Sequence, residues 1–246
     1  MILQSDFPPD IRIEKEAQTL LAEGHTIDLI CNNYKNLPME DTYSGIKIYR
    51  LMNIPFSKII NLPFFLNPVW FYKIYSLIIS TKPDVIHIHD LPLFLTGAFF
   101  GKLFGITTIF DMHENYPAML KATKSIFTFK SAYFATIIER IAIRIADYII
   151  VVIEEQLERL VKLGVPRKKI VIVSNTVDLK NFRSLKLDLK IKQELNAAFY
   201  PIISYVGGLY GRGLETVLQA IYILSSKLPN FRLLLVGNGK GKMALE

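Results

Sequence analysis

Two apolar runs that each end in a polar cluster decide the reading of this chain: Val85-Ile86-His87-Ile88-His89-Asp90, then Thr107-Thr108-Ile109-Phe110-Asp111-Met112-His113-Glu114. Both are short and apolar through their length, the pattern of strands buried on both faces of a parallel sheet. In open α/β sheets, ligands settle in the crevice beyond the carboxyl ends of the strands. Neighbouring strands tipped with imidazole and carboxylate therefore mark a working cleft. Three of the chain's four histidines lie in these two segments.

The rhythm of strand and helix continues outward in both directions. Asp10 precedes a helical stripe of Ile13, Ala17, Leu20 and Leu21, which Gly24 closes as the C′ residue. Glu14 and Glu16 lie near that helix's positive end, where acids are favoured. Strands are expected at 26–31 and 46–51, and Asn67-Pro68 supplies the cap and first turn of a helix through residue 80. After the strand at 85–88 come helix 92–104, strand 106–110, a helical region 125–146, strand 148–152, helix 154–163 and strand 170–173. This alternation predicts a doubly wound, Rossmann-like parallel sheet covered on both faces.

Residues 182–199 are Lys-rich with no clean strand and read as a linker between domains. The α/β rhythm restarts with strand 202–206, a glycine-rich turn at 207–213, helix 214–228 and strand 231–236. The expected organisation is an N-terminal domain over 1–182, a linker over 183–199 and the incomplete start of a second Rossmann-like domain over 200–246. Only Ile2 and Leu3 precede the polar Gln4, which is short for a first strand. With barely two strands in the second domain, the sequence reads as a fragment of a longer protein.

Half of the 246 residues are apolar and 21% are charged, which excludes disorder. A net charge of +7 favours an acidic partner: nucleic acid, anionic lipid or a phosphate-bearing substrate. Nucleic acid is set aside, because zinc-finger spacing and RNP-like strings are both missing. The single cysteine, Cys31, rules out an internal disulfide framework and suits a reducing compartment as an inert buried thiol. No secretory signal is visible, and the oily stretch 91–110 is broken by Pro92, Gly97, Gly101 and Gly105 into a helix and a strand rather than a membrane span.

His87 and His89 share one strand face, and His-x-His at a strand end suits a metal. That reading needs further ligands from other elements, and His25 and His113 are the only histidines left, so no metal is expected. His87 reads as a satisfied core histidine, with His89 and Asp90 reaching the cleft rim. Asp10 reads as a helix cap. Arg12 is either a solvated side chain or a contact for an anionic acceptor or donor phosphate. Gly207, Gly208, Gly211 and Gly213 lie between a strand and a helix, where backbone N–H groups and a helix N-terminus can approach phosphate. Gly237 and Gly239 follow the next strand, but with Gly241 they misplace the third glycine of a dinucleotide fingerprint. Asp-x-Asp, G-x-S-x-G and a Walker lysine loop do not occur.

Several segments together resemble the retaining glycosyltransferases of family 4, which have a GT-B fold. Phe7-Pro8-Pro9-Asp10-Ile11-Arg12-Ile13-Glu14-Lys15-Glu16-Ala17 looks like their opening loop and helix, and Lys82–Asp90 resembles their PDVIHxHD strand. Asp111–Glu114 resembles the DxHE of one branch, Ala146–Val152 the ADxIIxVS strand, and Ile172–Phe182 the xxPNGVDxxxF exit from the first domain. Tyr205–Ala220 is similar to YVGGL…RGLETLxxA, and Leu235–Gly239 to xVGxG. The resemblance implies hexosyl transfer from a nucleotide-sugar to a saccharide or lipid-linked acceptor with retention, and no metal. The acceptor would lie on the first domain and the donor on the second.

By the same resemblance, His113 stands near the transferred sugar as the catalytic-side residue, and Glu114 orients it or binds acceptor. Capping of the strand end is the alternative for both, and Asp111 reads as structural. Arg212 takes the place of the base that grips the donor diphosphate, with Gly207, Gly208, Gly213, Gly237 and Gly239 around it. Two departures stand out: Gly208 replaces an arginine common among relatives, and the turn is about one residue shorter. The family's E-x7-E motif does not occur before Glu246, so the chain as given is expected to be a poor catalyst.

Residues 118–146 carry Lys121, Lys124, Lys130, Arg140 and Arg144 against the single acid Glu139, interleaved with aliphatic and aromatic side chains. Such a stretch suits either an anionic membrane surface or a core-packed helix with snorkelling cations. The aromatic-rich 63–75 is a candidate for the same surface. The expected protein is thus cytoplasmic and peripheral on the inner membrane face, acting in cell-surface polysaccharide or glycolipid synthesis. A GT-B-fold sugar-nucleotide epimerase and a non-catalytic saccharide-binding module are the alternatives.

Overall fold

The computed structural model describes residues 1–51, 67–122, 126–177, 179, 189–196, 200–209, 213–228 and 230–239, with the backbone alone at 122 and 126–131. The chain divides into two compact units, Met1–Thr176 and Val177–Glu246.

The first unit is built on eight strands: β1 (Ile2–Asp6), β2 (Asp28–Asn32), β3 (Glu40–Tyr43), β4 (Ile46–Arg50), β5 (Val85–His89), β6 (Thr107–Met112), β7 (Tyr148–Val151) and β8 (Ile170–Ile172). Their order is β3-β4-β2-β1-β5-β6-β7-β8, parallel except for β3, which runs antiparallel to β4. The helices are α1 (Ile11–Ala22), α2 (Pro68–Thr81), α3 (Leu91–Phe104), α4 (Tyr116–Ala122), α5 (Ile126–Ile145) and α6 (Glu154–Lys162). The α/β parallel sheet is as the sequence predicts. The oily 91–110 stretch resolves into α3 and the start of β6, and no helix among the described residues is long and apolar enough to cross a membrane.

Two expectations need correction. Gln4 does not end the first strand: β1 runs to Asp6 at the centre of the sheet, pairing with both β2 and β5. Between two partners a polar residue is carried in the ladder because its backbone is paired regardless of its side chain. The edge strand β3 went unread because Glu40-Asp41-Thr42-Tyr43 has no apolar alternation. Its signal is the Ser44-Gly45 turn, where φ is 49° and 86°, as a two-residue hairpin requires.

Alternation along the strands splits the core into two layers. Ile2, Ile30, Ile86, Ile88, Phe110 and Val151 face α2, α3 and α5, where Trp70, Phe94 and Ala142 are buried. Leu3, Leu29, Cys31, Ile46 and Ile48 face α1, against Ile13 and Ala17. Cys31 is a free, buried thiol, and burial pushes its pKa up to about 11. Asn67 caps α2 by accepting from Val69 N at 2.9 Å. Glu139 on α5 is buried and pairs with both terminal nitrogens of Arg159 on α6, at 2.7 and 3.0 Å.

The second unit holds the short helix α7 (Leu189–Glu194), β9 (Ile202–Val206), α8 (Leu214–Ser225) and β10 (Arg232–Val236), with β9 and β10 parallel. Of the linker expected at 183–199, residues 189–194 form α7, while 183–188 and 197–199 lie outside the described residues. The two strands leave apolar side chains such as Ile203 and Val206 exposed.

Candidate functional site

The chain runs from β1 outward through β2 to β4, then returns to place β5 on the other side of β1. The β1/β5 boundary is therefore the point at which strand order reverses, where a crevice opens beyond the strand ends. On the α1 face of the sheet, aliphatic packing stops at β1, and β5 and β6 present His87, His89 and Asp111 instead. The parallel register sets His89 beside Asp111, so their side chains meet.

Asp111 is the hub. Its Oδ2 accepts from His87 Nε2 at 3.2 Å and His89 Nδ1 at 3.0 Å, and His113 Nε2 stands 3.1 Å away. The His87 and His89 rings stack at 4.2 Å between centroids, and His89 lies nearly parallel to His113 at 5.8 Å. Glu16 reaches in from α1, its Oε2 3.8 Å from His87 Nε2 and 3.9 Å from His89 Nδ1.

Burial and mutual charge set the protonation states. Burial works against ionised Asp111, but the three imidazoles outweigh it and hold the carboxyl well below the usual carboxylate range. Glu16 goes the other way, raised by burial and then by the Asp111 charge. Burial, helped by His87, lowers His89 to about 3, so its imidazole is neutral. Burial also opposes charge on His113, yet Asp111 and Asp90 outweigh it and lift its pKa. Asp90 rises to about 6 through burial, partly offset by His113 and Arg12.

Asp90 is also strained. Its φ of 67° and ψ of 163° fall in a region that side chains disfavour, and it makes no side-chain cap bond to α3. Its side chain is half-buried. His89 does not reach the cleft rim: it is 0% exposed, because its place on the inner face of β5 turns it under α1. His113 is buried, and neither of its ring nitrogens makes a hydrogen bond among the described residues, Nε2 meeting Asp111 only as an ion-pair contact, while Glu114 is exposed. Asp10 caps α1 and also binds Arg12, whose Nε and Nη2 lie 3.2 and 2.9 Å from its two oxygens. Arg12 is thus already held by an acid.

In the second unit, Gly213 sits at the N-terminus of α8 with φ of 72°, the left-handed conformation that favours glycine. Gly207 N donates to Val236 O at 3.0 Å, and Leu209 N to Asn238 O at 3.1 Å. A Cβ on Gly237 would lie 1.8 Å from the Gly207 carbonyl oxygen, so glycine there is required by close backbone approach. Nothing lies within 4 Å of a Cβ built on Gly208. Gly211 and Arg212 lie outside the described residues, as do 63–66 and the side chains of Lys124 and Lys130.

Residues 12–181 match the model of Glycosyltransferase Family 4. The chain belongs to this family. Among solved structures it is similar to sucrose-phosphate synthase from Thermosynechococcus elongatus, with a TM-score of 0.72 and 21% identity over 96% of this chain and 58% of that one. It is similar to Anabaena HepE in complex with UDP and glucose (TM-score 0.63, 16% identity, 99% of this chain and 62% of that one). It also resembles UDP-GlcNAc 2-epimerase from Methanocaldococcus jannaschii (TM-score 0.55, 15% identity, 96% and 65%). At these identities the likeness shows the GT-B fold. The chain spans about 60% of the length of these structures. No curated protein matches it.

Sequence reasoning about this family-4 chain missed Glu16 and Tyr116. Glu16 looked like a dipole residue of α1, but it lies four residues after Arg12 and beside the buried Ala17. That helical spacing is the signal that it borders the inner face. Tyr116 follows the DxHE segment, and burial, then Asp90 and Glu114, raise its hydroxyl above the usual range.

Proposed function

We propose that the protein transfers a hexosyl group from a nucleotide-sugar donor to a saccharide or lipid-linked acceptor, with retention, and that the β1/β5 switch point is its acceptor-side wall. The observation that carries this reading is His113, whose Nε2 stands 3.1 Å from Asp111 Oδ2 and whose ring feels the charge of the strained Asp90. The His113 ring borders the transferred sugar in this reading, and Arg12, Asp90 and Glu114 line the approach. In this reading the donor diphosphate meets the turn at 207–213 and the segment at 237–239, where backbone N–H groups and the α8 N-terminus stabilise charge on the departing nucleotide. The transfer step itself uses no metal.

The test is turnover of the full-length protein with a panel of nucleotide-sugars and acceptors. His113→Ala is expected to lower kcat by about 10²–10³-fold while donor affinity stays within a factor of about two. Interconversion of donor epimers without acceptor would establish the epimerase reading instead, and the absence of turnover with every donor would leave a binding module.

The same reading places the protein peripherally on the inner, anionic face of a membrane, in cell-surface polysaccharide or glycolipid synthesis. What supports it is the outer surface of α2, α3 and α5, which exposes Tyr72, Phe99, Leu103, Tyr133 and Ile141. Lys102 and Arg144 line a groove of about 1060 Å³ between α3 and α5. Basic residues beside exposed apolar ones favour anionic lipid. Co-sedimentation with vesicles of phosphatidylglycerol is expected to exceed that with phosphatidylcholine at least about fivefold and to fall with salt. Leu103→Asp should abolish the difference.

A further inference from the structure

The expectation of no metal rested on a shortage of ligands after His87 and His89. The fold supplies two more, from elements that sequence spacing could not connect: Asp111 on β6 and Glu16 on α1. One ligand atom from each of Glu16, His87, His89 and Asp111 falls in a group whose members all lie within 4.8 Å of one another. The four edges that involve one imidazole and one carboxylate measure 3.0, 3.2, 3.8 and 3.9 Å. Four ligands about 2.0–2.1 Å from a tetrahedral Zn²⁺ are separated by about 3.4 Å. The observed edges bracket that value.

Satisfaction of the polar atoms points the same way. Two carboxylates converge where water has little access, since the Asp111 side chain is 0% exposed and that of Glu16 18%. Glu16 Oε2, although buried, has no hydrogen-bond partner among the described residues. Two carboxylates this close together relieve their repulsion either by holding a proton between them, as the raised Glu16 does here, or by sharing a cation, which a divalent ion would supply. No lysine or arginine contacts the four ligand atoms among the described residues.

We propose that Glu16 Oε2, His87 Nε2, His89 Nδ1 and Asp111 Oδ2 bind one divalent transition-metal ion, Zn²⁺ by ligand type and spacing, each imidazole moving to its opposite ring nitrogen the proton that it shares with Asp111 in the metal-free protein. Two imidazoles and two carboxylates form a borderline set that suits zinc better than calcium or magnesium, which take oxygen ligands. The ion ties α1 to β5 and β6 beneath the switch point. It also fixes the Asp111 oxygen that holds His113. It is a positioning centre in the wall of the site, and it stands on these distances whether or not the sugar-transfer reading holds.

The test is metal content of the tag-free, full-length protein, stripped with chelator, reloaded with ZnCl₂ and passed through gel filtration. About one zinc per chain should be retained, with a higher Tm than the stripped protein. Co²⁺ in place of zinc should give the visible absorption of a low-symmetry four- or five-coordinate site. Glu16→Gln, an isosteric change at a partly exposed side chain, and His87→Ala should each lose most of the bound metal, while His25→Ala on the exposed surface keeps it. Retention below roughly a tenth of an equivalent by the folded wild type, or equal retention in Glu16→Gln and His87→Ala, overturns the proposal. Catalysis need not be measured, so failure here and failure of the transferase reading are separable.

Discussion

Asp111→Ala is expected to cost the first unit about 3–5 kcal/mol, the penalty for removing one partner of a buried charged network. His87 Nε2 and His89 Nδ1 both donate to its Oδ2, and His113 Nε2 stands against the same atom. Alanine leaves those N–H groups without an acceptor in a space where His89 and Asp111 are 0% exposed. For a chain of this size the loss corresponds to roughly 6–20 °C in Tm, to be read by calorimetry. Turnover should fall at least as far as in His113→Ala, because the ring loses what orients it. Asp111→Asn keeps the volume but turns N–H groups toward donors, so it should rescue packing more than activity. A Tm within about 2 °C of wild type for Asp111→Ala would show that the imidazoles find other partners and that Asp111 is no hub.

Arg50→Met is the second large effect. The Arg50 side chain on β4 is 1% exposed, and its guanidinium serves three acceptors. Nε and Nη2 donate to Phe7 O at 3.2 and 3.0 Å, Nη1 to Pro38 O at 2.7 Å, and Nη2 to Asp41 Oδ2 at 3.2 Å. It thereby pins the loop between β1 and α1, which carries Asp10 and Arg12 to the switch point. Methionine fills much of the volume but abandons the carbonyls, for a loss of about 2–4 kcal/mol by urea unfolding. Arg50→Lys should recover only part, since a point charge cannot reproduce a fork of fixed geometry. Activity should decline beyond the stability loss, because the loop it anchors borders the site. An unchanged urea midpoint in Arg50→Met would show that the loop holds without it.

These residues also show where reading from sequence stops. Arg50 lies at the end of an ordinary apolar strand, and nothing in Ile46-Lys47-Ile48-Tyr49-Arg50 signals that its guanidinium turns inward to a loop forty residues earlier. Glu16 sits in a helix whose exposed and buried stripes are both plain, yet its acceptance of a polar core neighbour depends on which strand α1 crosses. His89 was placed on the rim because it ends a strand. The pleat and the cover of α1 put it inside.

The amino-acid sequence alone determined that this chain is α/β with a parallel sheet, where most strands and helices lie, and that imidazoles and carboxylates gather at the ends of β5 and β6. Those conclusions follow from periodicity, caps and breakers, which act within a few residues. The tertiary structure decided that β1 is a full central strand, that Asp111 gathers three imidazoles and that Glu16 joins them. Strand order and helix crossing bring those groups together across separations of about 20 to 100 residues, and no local pattern encodes a distance of that kind.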